Sequence, residues 1–415
     1  MNQLKSQIAT ILLLLLFFGK VSEAQISTTS PYSVFGLGLP EETGFGSLDA
    51  MGGTGIALES NNRNNNINPA SYSGIDSLSL LFEIGIKSQR TNMITNNFSR
   101  TRWNTNLSHV ALGLRFSKFW HCDFGLTPFS SVGYSIETEN NVEGSAMSFS
   151  NVLFGSGDID RVYMGNSFNI TKNLALGIHL SYLFGVIDYS ESLRISEFNK
   201  TITSKNENYF RNFYFDYGLQ YHFNINNVRF GVGFIYSNQQ KIYAKSEFTV
   251  IENTDTLELI SNEKYHAYSI PQYFGIGLSA QNQHLTVALD YKLTDKLQND
   301  SEIEGLRYKN SNRFSFGVDY IPSLNTKSSY FGKIHYMAGA YYKTSNLVLF
   351  GKQINEQAVT FGFGLPIGNR ISYLQISSEI GSRGTIQSNL IKENFVRLNV
   401  SFSLHDIWFI HNKIN

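Results

Sequence analysis

Period-two alternation of apolar with small or polar residues recurs along this chain from about residue 78 onward, and it restricts the fold more than any other feature. In Leu174, Leu176, Ile178, Leu180, Tyr182, Phe184, Val186 the intervening positions are Ala175, Gly177, His179, Ser181, Leu183, Gly185. A period of two sends one series to one face of a strand and the other to the opposite face. Val228, Phe230, Val232, Phe234, Tyr236 oppose Arg229, Gly231, Gly233 and Ser237, with Ile235 the one large apolar exception. Phe314, Phe316, Val318, Tyr320 oppose Arg313, Ser315, Gly317, Asp319, and Val396, Leu398, Val400, Phe402, Leu404 oppose Arg397, Asn399, Ser401, Ser403. An Arg or Lys at bilayer mid-depth on a lipid-facing wall costs about 2–4 kcal/mol, so this segregation fits an apolar face turned to lipid and a polar face turned to a lumen.

Alternation gives fourteen strands, near 78–88, 104–116, 121–137, 158–170, 173–189, 209–223, 226–242, 266–280, 283–295, 310–322, 332–345, 357–366, 370–383 and 391–406. The expected fold is all-β: a fourteen-stranded antiparallel transmembrane β-barrel over residues 78–409. A soluble β-sandwich also alternates, but its strands are usually about 5–6 residues long, shorter than these runs. The gaps alternate between mostly short ones (117–120, 171–172, 224–225, 281–282, 323–331, 367–369) and mostly longer polar ones (89–103, 138–157, 190–208, 243–265, 296–309, 346–356, 384–390). In an outer-membrane barrel short turns face the periplasm and longer loops face outside, and an even strand count puts both termini in the periplasm. The 243–265 segment, with Glu247, Glu252, Asp255, Glu258 and Glu263, is expected to be a large acidic external loop, solvated rather than metal-binding.

Export is written into the first 24 residues. Lys5 precedes an apolar run from Ile11 to Phe18, and Ser22 and Ala24 stand where a cleavage before Gln25 requires small residues. That run is far short of the roughly 20 residues needed to span a bilayer. Removing Lys5, Lys20 and Glu23 from 33 basic and 33 acidic side chains leaves 31 and 32, which implies no nucleic-acid partner. Cys122 is the single cysteine, so sheet hydrogen bonds and packing must hold the fold without an internal disulfide. With 32 Phe, 23 Tyr and 34 Gly against 7 Pro, the composition suits long unbroken ladders.

Residues 25–77 precede the first strand and are not spacer-like. Tyr32, Phe35, Leu37, Leu39, Phe45 and Leu48 are followed by Gly52, Gly53 and Gly55, an asparagine-rich run at 61–68, and Asn68, Pro69, Ala70. A lumen of fourteen strands is wide enough to need filling or to conduct. The preferred reading is a luminal plug, with an ordered periplasmic segment or a docking strap as the alternatives; residues 410–415 form a short tail. Arg115, Arg229, Arg313 and Arg397 are candidate lumen charges, with Asp216, Asp290, Asp319 and Glu379 as partners across the interior. His109, His179 and His335 fall on lumen faces, and His121, Cys122 and Asp123 at a short turn, yet none has the spacing of a catalytic or metal constellation. No enzyme, cofactor or metal is expected, and Gly52, Gly53 and Gly55 lack the lysine and strand-to-helix context of a phosphate loop.

Met51–Gly52–Gly53–Thr54–Gly55–Ile56–Ala57, the following Asn68–Pro69–Ala70 and the fourteen strands resemble the outer-membrane long-chain fatty acid transporter family, also called the hydrocarbon transporter family. Pro31–Tyr32–Ser33 and Asn68–Pro69–Ala70–Ser71–Tyr72 look like members from Bacteroidota. The resemblance implies a hatch in the lumen, with Tyr32, Phe35, Leu37, Phe45, Gly52, Gly53, Gly55, Asn68, Pro69 and Ala70 as hatch or ligand-path residues. It also implies passive transport of long-chain fatty acids or other hydrophobic compounds across the outer membrane of a Gram-negative bacterium. The chain departs from that pattern in continuing after Phe409 through His411, Lys413 and Asn415. Relatives that share only the fold serve as accessory subunits of protein-export or barrel-assembly complexes, which is the alternative function. The expected partners are outer-membrane lipid, a hydrophobic cargo, or outer-membrane and periplasmic proteins.

Overall fold

The computed structural model describes residues 28–41, 44–77, 79–141, 148–195, 200–253, 255–260, 265–296, 305–325, 327–368 and 372–407. The expected signal peptide (1–24), the tail (410–415), and Glu263 lie outside them. Fourteen walls follow in chain order: β1 (Ser79–Ile94), β2 (Ser99–Arg115), β3 (Trp120–Asn141), β4 (Ser148–Asn169), β5 (Leu174–Ile195), β6 (Lys200–Ile225) and β7 (Val228–Ser237, continued by Gln240–Glu252). They continue with β8 (Asp255–Ile260, Tyr265–Ile270 and Tyr273–Gln281), β9 (Leu285–Thr294), β10 (Ser311–Tyr320, preceded by Leu306–Tyr308), β11 (His335–Leu349), β12 (Lys352–Ile367), β13 (Ser372–Gly384) and β14 (Lys392–Ile407). Each pairs antiparallel with its neighbours, and β14 closes on β1 from Lys392↔Ile94 to Ile407↔Ser79. Among the described residues no helix is long and apolar enough to cross a membrane.

The period-two faces hold in three dimensions. Leu278, Phe314, Phe361 and Val396 are 52, 55, 53 and 43 % exposed on the outside, while His179, Gln220 and Ser237 are buried inside. Ile235, the apolar exception in its strand, faces inward and is buried near Ile56.

Three expectations change. The longer gaps are mostly ladder: β1 and β2 run to Ile94 and from Ser99, β5 and β6 to Ile195 and from Lys200, and the acidic 243–265 segment is largely strand. Above the apolar belt both strand faces meet water, so the hydrophobic contrast that marks a strand disappears while backbone pairing continues. The interior is also not uniformly polar. Toward the long-connection end Val132, Ile159, Leu183, Ile187, Phe210 and Ile242 form a buried apolar cluster against Val34 and Leu37. His121, Cys122 and Asp123, expected at a turn, are buried within β3.

Residues 28–77 fill the lumen. Ser30 and Tyr32 lie at the long-connection end, bonded to Glu393 and to the Ile391 carbonyl. From there the segment runs through the short helix Ser47–Ala50 to the 3-10 turn Pro69–Gly74, which leads into β1 at the opposite end.

Candidate functional site

The plug is shaped by short-range chemistry. Asn68 caps the turn Pro69–Gly74: its Oδ1 accepts from Ala70 N at 3.0 Å, and proline at the first position needs no donor. The same side chain donates to Ile56 O at 2.7 Å and faces the wall carbonyls of Leu219 and Phe234 at 3.2 and 3.3 Å. Asn65 donates to Gly55 O and Leu58 O at 2.7 and 2.8 Å, so the asparagine run ties the glycine loop to itself. Gly52 has φ +72°, and a Cβ there would stand 2.9 Å from the backbone of Ala340 and Phe316. Only glycine tolerates both that angle and that approach.

Wall side chains grip this segment along its length. Asp290 Oδ2 accepts from Gly55 N and Ile56 N at 2.7 and 3.0 Å. Gln220 donates to Ile56 O at 2.9 Å, Ser279 to Ala57 O at 2.8 Å, Thr360 to Ala50 O at 2.7 Å and Ser167 to Ala70 O at 3.0 Å. Arg313 donates to Gly52 O at 3.0 Å with its guanidinium 4.1 Å from the Tyr341 ring centroid. Arg63, on the plug, bonds Asp319 at 2.9 Å beside His335, whose Nδ1 is 2.9 Å from the same carboxylate. Tyr72 reaches His179 at 2.8 Å, and His179 reaches Asp216 at 2.7 Å.

The candidate residues therefore separate. Phe45 is buried and stacks on His109 with centroids 3.9 Å apart. Tyr32 packs with Leu306, Leu347, Leu349, Ile354 and Leu390, Phe35 lies against that group, and Leu37 joins the other apolar cluster. Gly53, also at positive φ, sits against Arg313, and Ala70 is fully buried. Among the charges, Arg397 pairs with Glu379 at 2.8 Å, within a network containing Tyr341, Glu356 and Arg383. Arg229 instead pairs with Glu59 of the plug, Asp290 and Asp319 hold plug groups, and Arg115 Nε donates to Ser117 O at 3.1 Å at the short-turn rim. Arg397 and Glu379 thus pair with each other on the wall, whereas Arg229, Asp290 and Asp319 take their partners from the plug. Arg63, Glu41, Lys87 and Glu83 were not singled out from the sequence; Lys87 and Glu83 were detectable as charges on the inward parity of β1.

His109 Nδ1 stands 3.1 Å from Ser108 Oγ, and Nε2 stands 3.5 Å from Glu83. The ring is 1 % exposed beneath Phe45, which leaves a substrate no approach. Among the described residues no three His, Cys, Asp or Glu side chains could hold a metal ion.

Among the described residues the wall is weakly joined between β2 and β3, beside the plug. The β2–β3 ladder comprises six rungs, from Arg115↔His121 to Val110↔Leu126, although β2 continues to Ser99 and β3 to Asn141. In the gap a two-residue strand of the plug, Leu39–Pro40, pairs with Ser131 and Ser130 of β3. Glu41 N donates to Phe129 O at 3.0 Å, and Gly133 N donates to Ser33 Oγ at 3.0 Å. The Glu41 carboxylate then bridges Lys87 of β1 and Ser131 of β3. Burial alone would raise the Glu41 pKa, but Lys87, Arg397 and the Ser131 hydrogen bond together outweigh it and hold the carboxyl below its ordinary value.

Comparison with solved structures shows the same fold at low identity. The toluene transporter TbuX of Ralstonia pickettii is 14% identical, with a TM-score of 0.57 over 87% of this chain and 98% of that one. The toluene transporter TodX of P. putida is 16% identical, with 0.56 over 89% and 100%. A Pseudomonas aeruginosa FadL homologue is 10% identical, with 0.57 over 90% and 100%. No curated protein matches the sequence. The sequence profile of the BamG family matches residues 5–415.

Proposed function

The chain belongs to the BamG family, and from that premise we propose that it is a non-transporting accessory subunit of an outer-membrane barrel-assembly or protein-export complex, with its lumen held shut. The observation that carries this reading is the continuous bonding of plug to wall, from Ser30–Glu393 at one end to Arg63–Asp319 and Glu59–Arg229 at the other. A moving hatch would have to release such bonds together. At a net of about 0.5–1.5 kcal/mol for a neutral bond and 1.5–3 kcal/mol for one to a charged group, losing half a dozen costs on the order of 5–10 kcal/mol. That leaves an open form at well under one part in a thousand.

In this reading the barrel sits in the outer membrane of a Gram-negative bacterium of the Bacteroidota, with Ile407 at the periplasmic end and the apolar belt in lipid. It performs no catalysis and holds no cofactor. Gly52, Gly53, Gly55, Asn68, Pro69 and Ala70 then anchor the plug, and Tyr32, Phe35, Leu37 and Phe45 pack it. Passive passage of a hydrophobic compound is the second reading, favoured by the fold shared with the toluene transporters and by the gap between β2 and β3. The two separate in one experiment: extraction of the tagged chain from native membranes, followed by reconstitution of the purified barrel for toluene and oleate uptake. The accessory reading expects a stoichiometric outer-membrane protein partner and uptake no faster than barrel-free vesicles. Saturable uptake by a barrel that purifies alone would replace it with transport.

A further inference from the structure

The gap between β2 and β3 is asymmetric, and its two lips differ in how their backbone is satisfied. The β3 lip is capped by the chain itself, through Leu39↔Ser131, Pro40↔Ser130, Glu41 N donating to Phe129 O and Gly133 N donating to Ser33 Oγ. Among the described residues the β2 lip has no such cap. At the β1–β2 turn Thr95 N donates to Phe98 O at 2.9 Å, which sets the phase of the antiparallel ladder below it. Residues alternate between bonding the neighbouring strand and pointing away from it. Arg100, Arg102, Asn104 and Asn106 therefore bond β1, and the N–H and C=O groups of Ser99, Thr101, Trp103, Thr105 and Leu107 point into the gap.

Five consecutive seam-facing positions are a template for strand addition, since only another extended chain presents donors and acceptors at the matching repeat. The side chains define that chain further. Trp103 and Leu107, 68 and 41 % exposed, stand on the outer face of the lip, just above Val110 and the apolar belt. Arg100 and Arg102 are exposed on its lumen side.

We propose that the β2 lip is a docking site for an extended strand of a second outer-membrane protein, about ten residues long, with apolar side chains outward and acidic ones opposite Arg100 and Arg102. The docked strand pairs with Ser99–Leu107 and continues the wall that the strap Leu39–Pro40 begins from the other lip. This deepens the accessory-subunit reading and rests on it.

The test is amide hydrogen exchange, read by mass spectrometry, on the full chain in the complex extracted from native membranes and on the same chain alone in lipid nanodiscs. The expected result is at least tenfold slower exchange at Ser99–Leu107 in the complex only. Thr105→Pro removes one seam-facing donor and leaves the bonds of Asn104 and Asn106 to β1, as an edge strand tolerates. It should keep the heat-resistant mobility of the folded barrel and lower partner recovery about tenfold; Thr101→Pro, nearer the turn, serves if Thr105→Pro does not fold. A complex that persists with unchanged exchange at 99–107, or with undiminished partner in the folded proline variant, overturns the docking site and leaves the accessory reading standing. Slow exchange in the chain alone also overturns it, because the lip is then covered without a partner. A chain that purifies with no partner removes the accessory reading and the proposal together.

Discussion

Single side chains decide whether the segment in the lumen stays there. Asn68 is fully buried, caps a turn and donates to the carbonyl of Ile56, so Asn68→Ala leaves Ala70 N without its cap in the interior and Ile56 O with Gln220 alone. We expect a loss of about 1–3 kcal/mol, seen as faster proteolytic release of residues 28–77. Gly177 acts from the wall: a Cβ there would stand 2.2 Å from Ala70 N, and Gly177→Ala should loosen the same contact. Asp49, on the plug helix, has its carboxyl raised to about 8 by burial and then by the charge of Glu379. A released plug titrates near the ordinary value of about 4, whereas the docked plug keeps its proton to about pH 8. Docking is therefore strongest below pH 4 and weakens as pH rises from about 4 to 8. Asp49→Asn should flatten the dependence of proteolytic release on pH between 5 and 9, and an unchanged slope would show that Asp49 does not govern it.

At the scale of the strand, exposure separates two kinds of position that alternation alone treats alike. Leu278 is 52 % exposed in the belt, and Leu278→Arg should lower barrel stability in denaturant by about 2–4 kcal/mol, against 0–1 kcal/mol for Thr101→Arg beyond the belt. Inward positions are not permissive merely because they are polar. Ser237 is fully buried and donates to Phe215 O at 3.0 Å, so an arginine there meets packed interior rather than an open channel. Strand centres were legible because one face had to be apolar, and they coincide with the observed walls. Strand ends were not, since above the belt neither face needs lipid and residues such as Asn92, Thr101 and Glu139 continue a ladder without any periodic mark.

For the whole molecule, the plug and the wall form one interior, and removing residues 28–70 should do two things at once. Ion conductance of the inserted barrel in planar bilayers should rise, because Phe45, Met51, Ile56 and Leu58 no longer occupy the lumen. Thermal stability should also fall, because Asp290, Asp319 and Arg229 lose their partners in the plug. Conductance unchanged in a correctly folded variant would show that the lumen is closed by the wall side chains alone. The sequence by itself determined the fold class, the strand number, the lipid-facing side chains and a compact glycine- and asparagine-rich segment ahead of the barrel, since local periodicity and turn chemistry act over a few residues. Only the tertiary structure decided that Arg63 and Glu59 of that segment meet Asp319 and Arg229 of the wall, that Leu39–Pro40 caps β3, and that the β2–β3 ladder stops at Val110. Those contacts join residues far apart in the chain, and long-range register leaves no periodic trace in the order of amino acids.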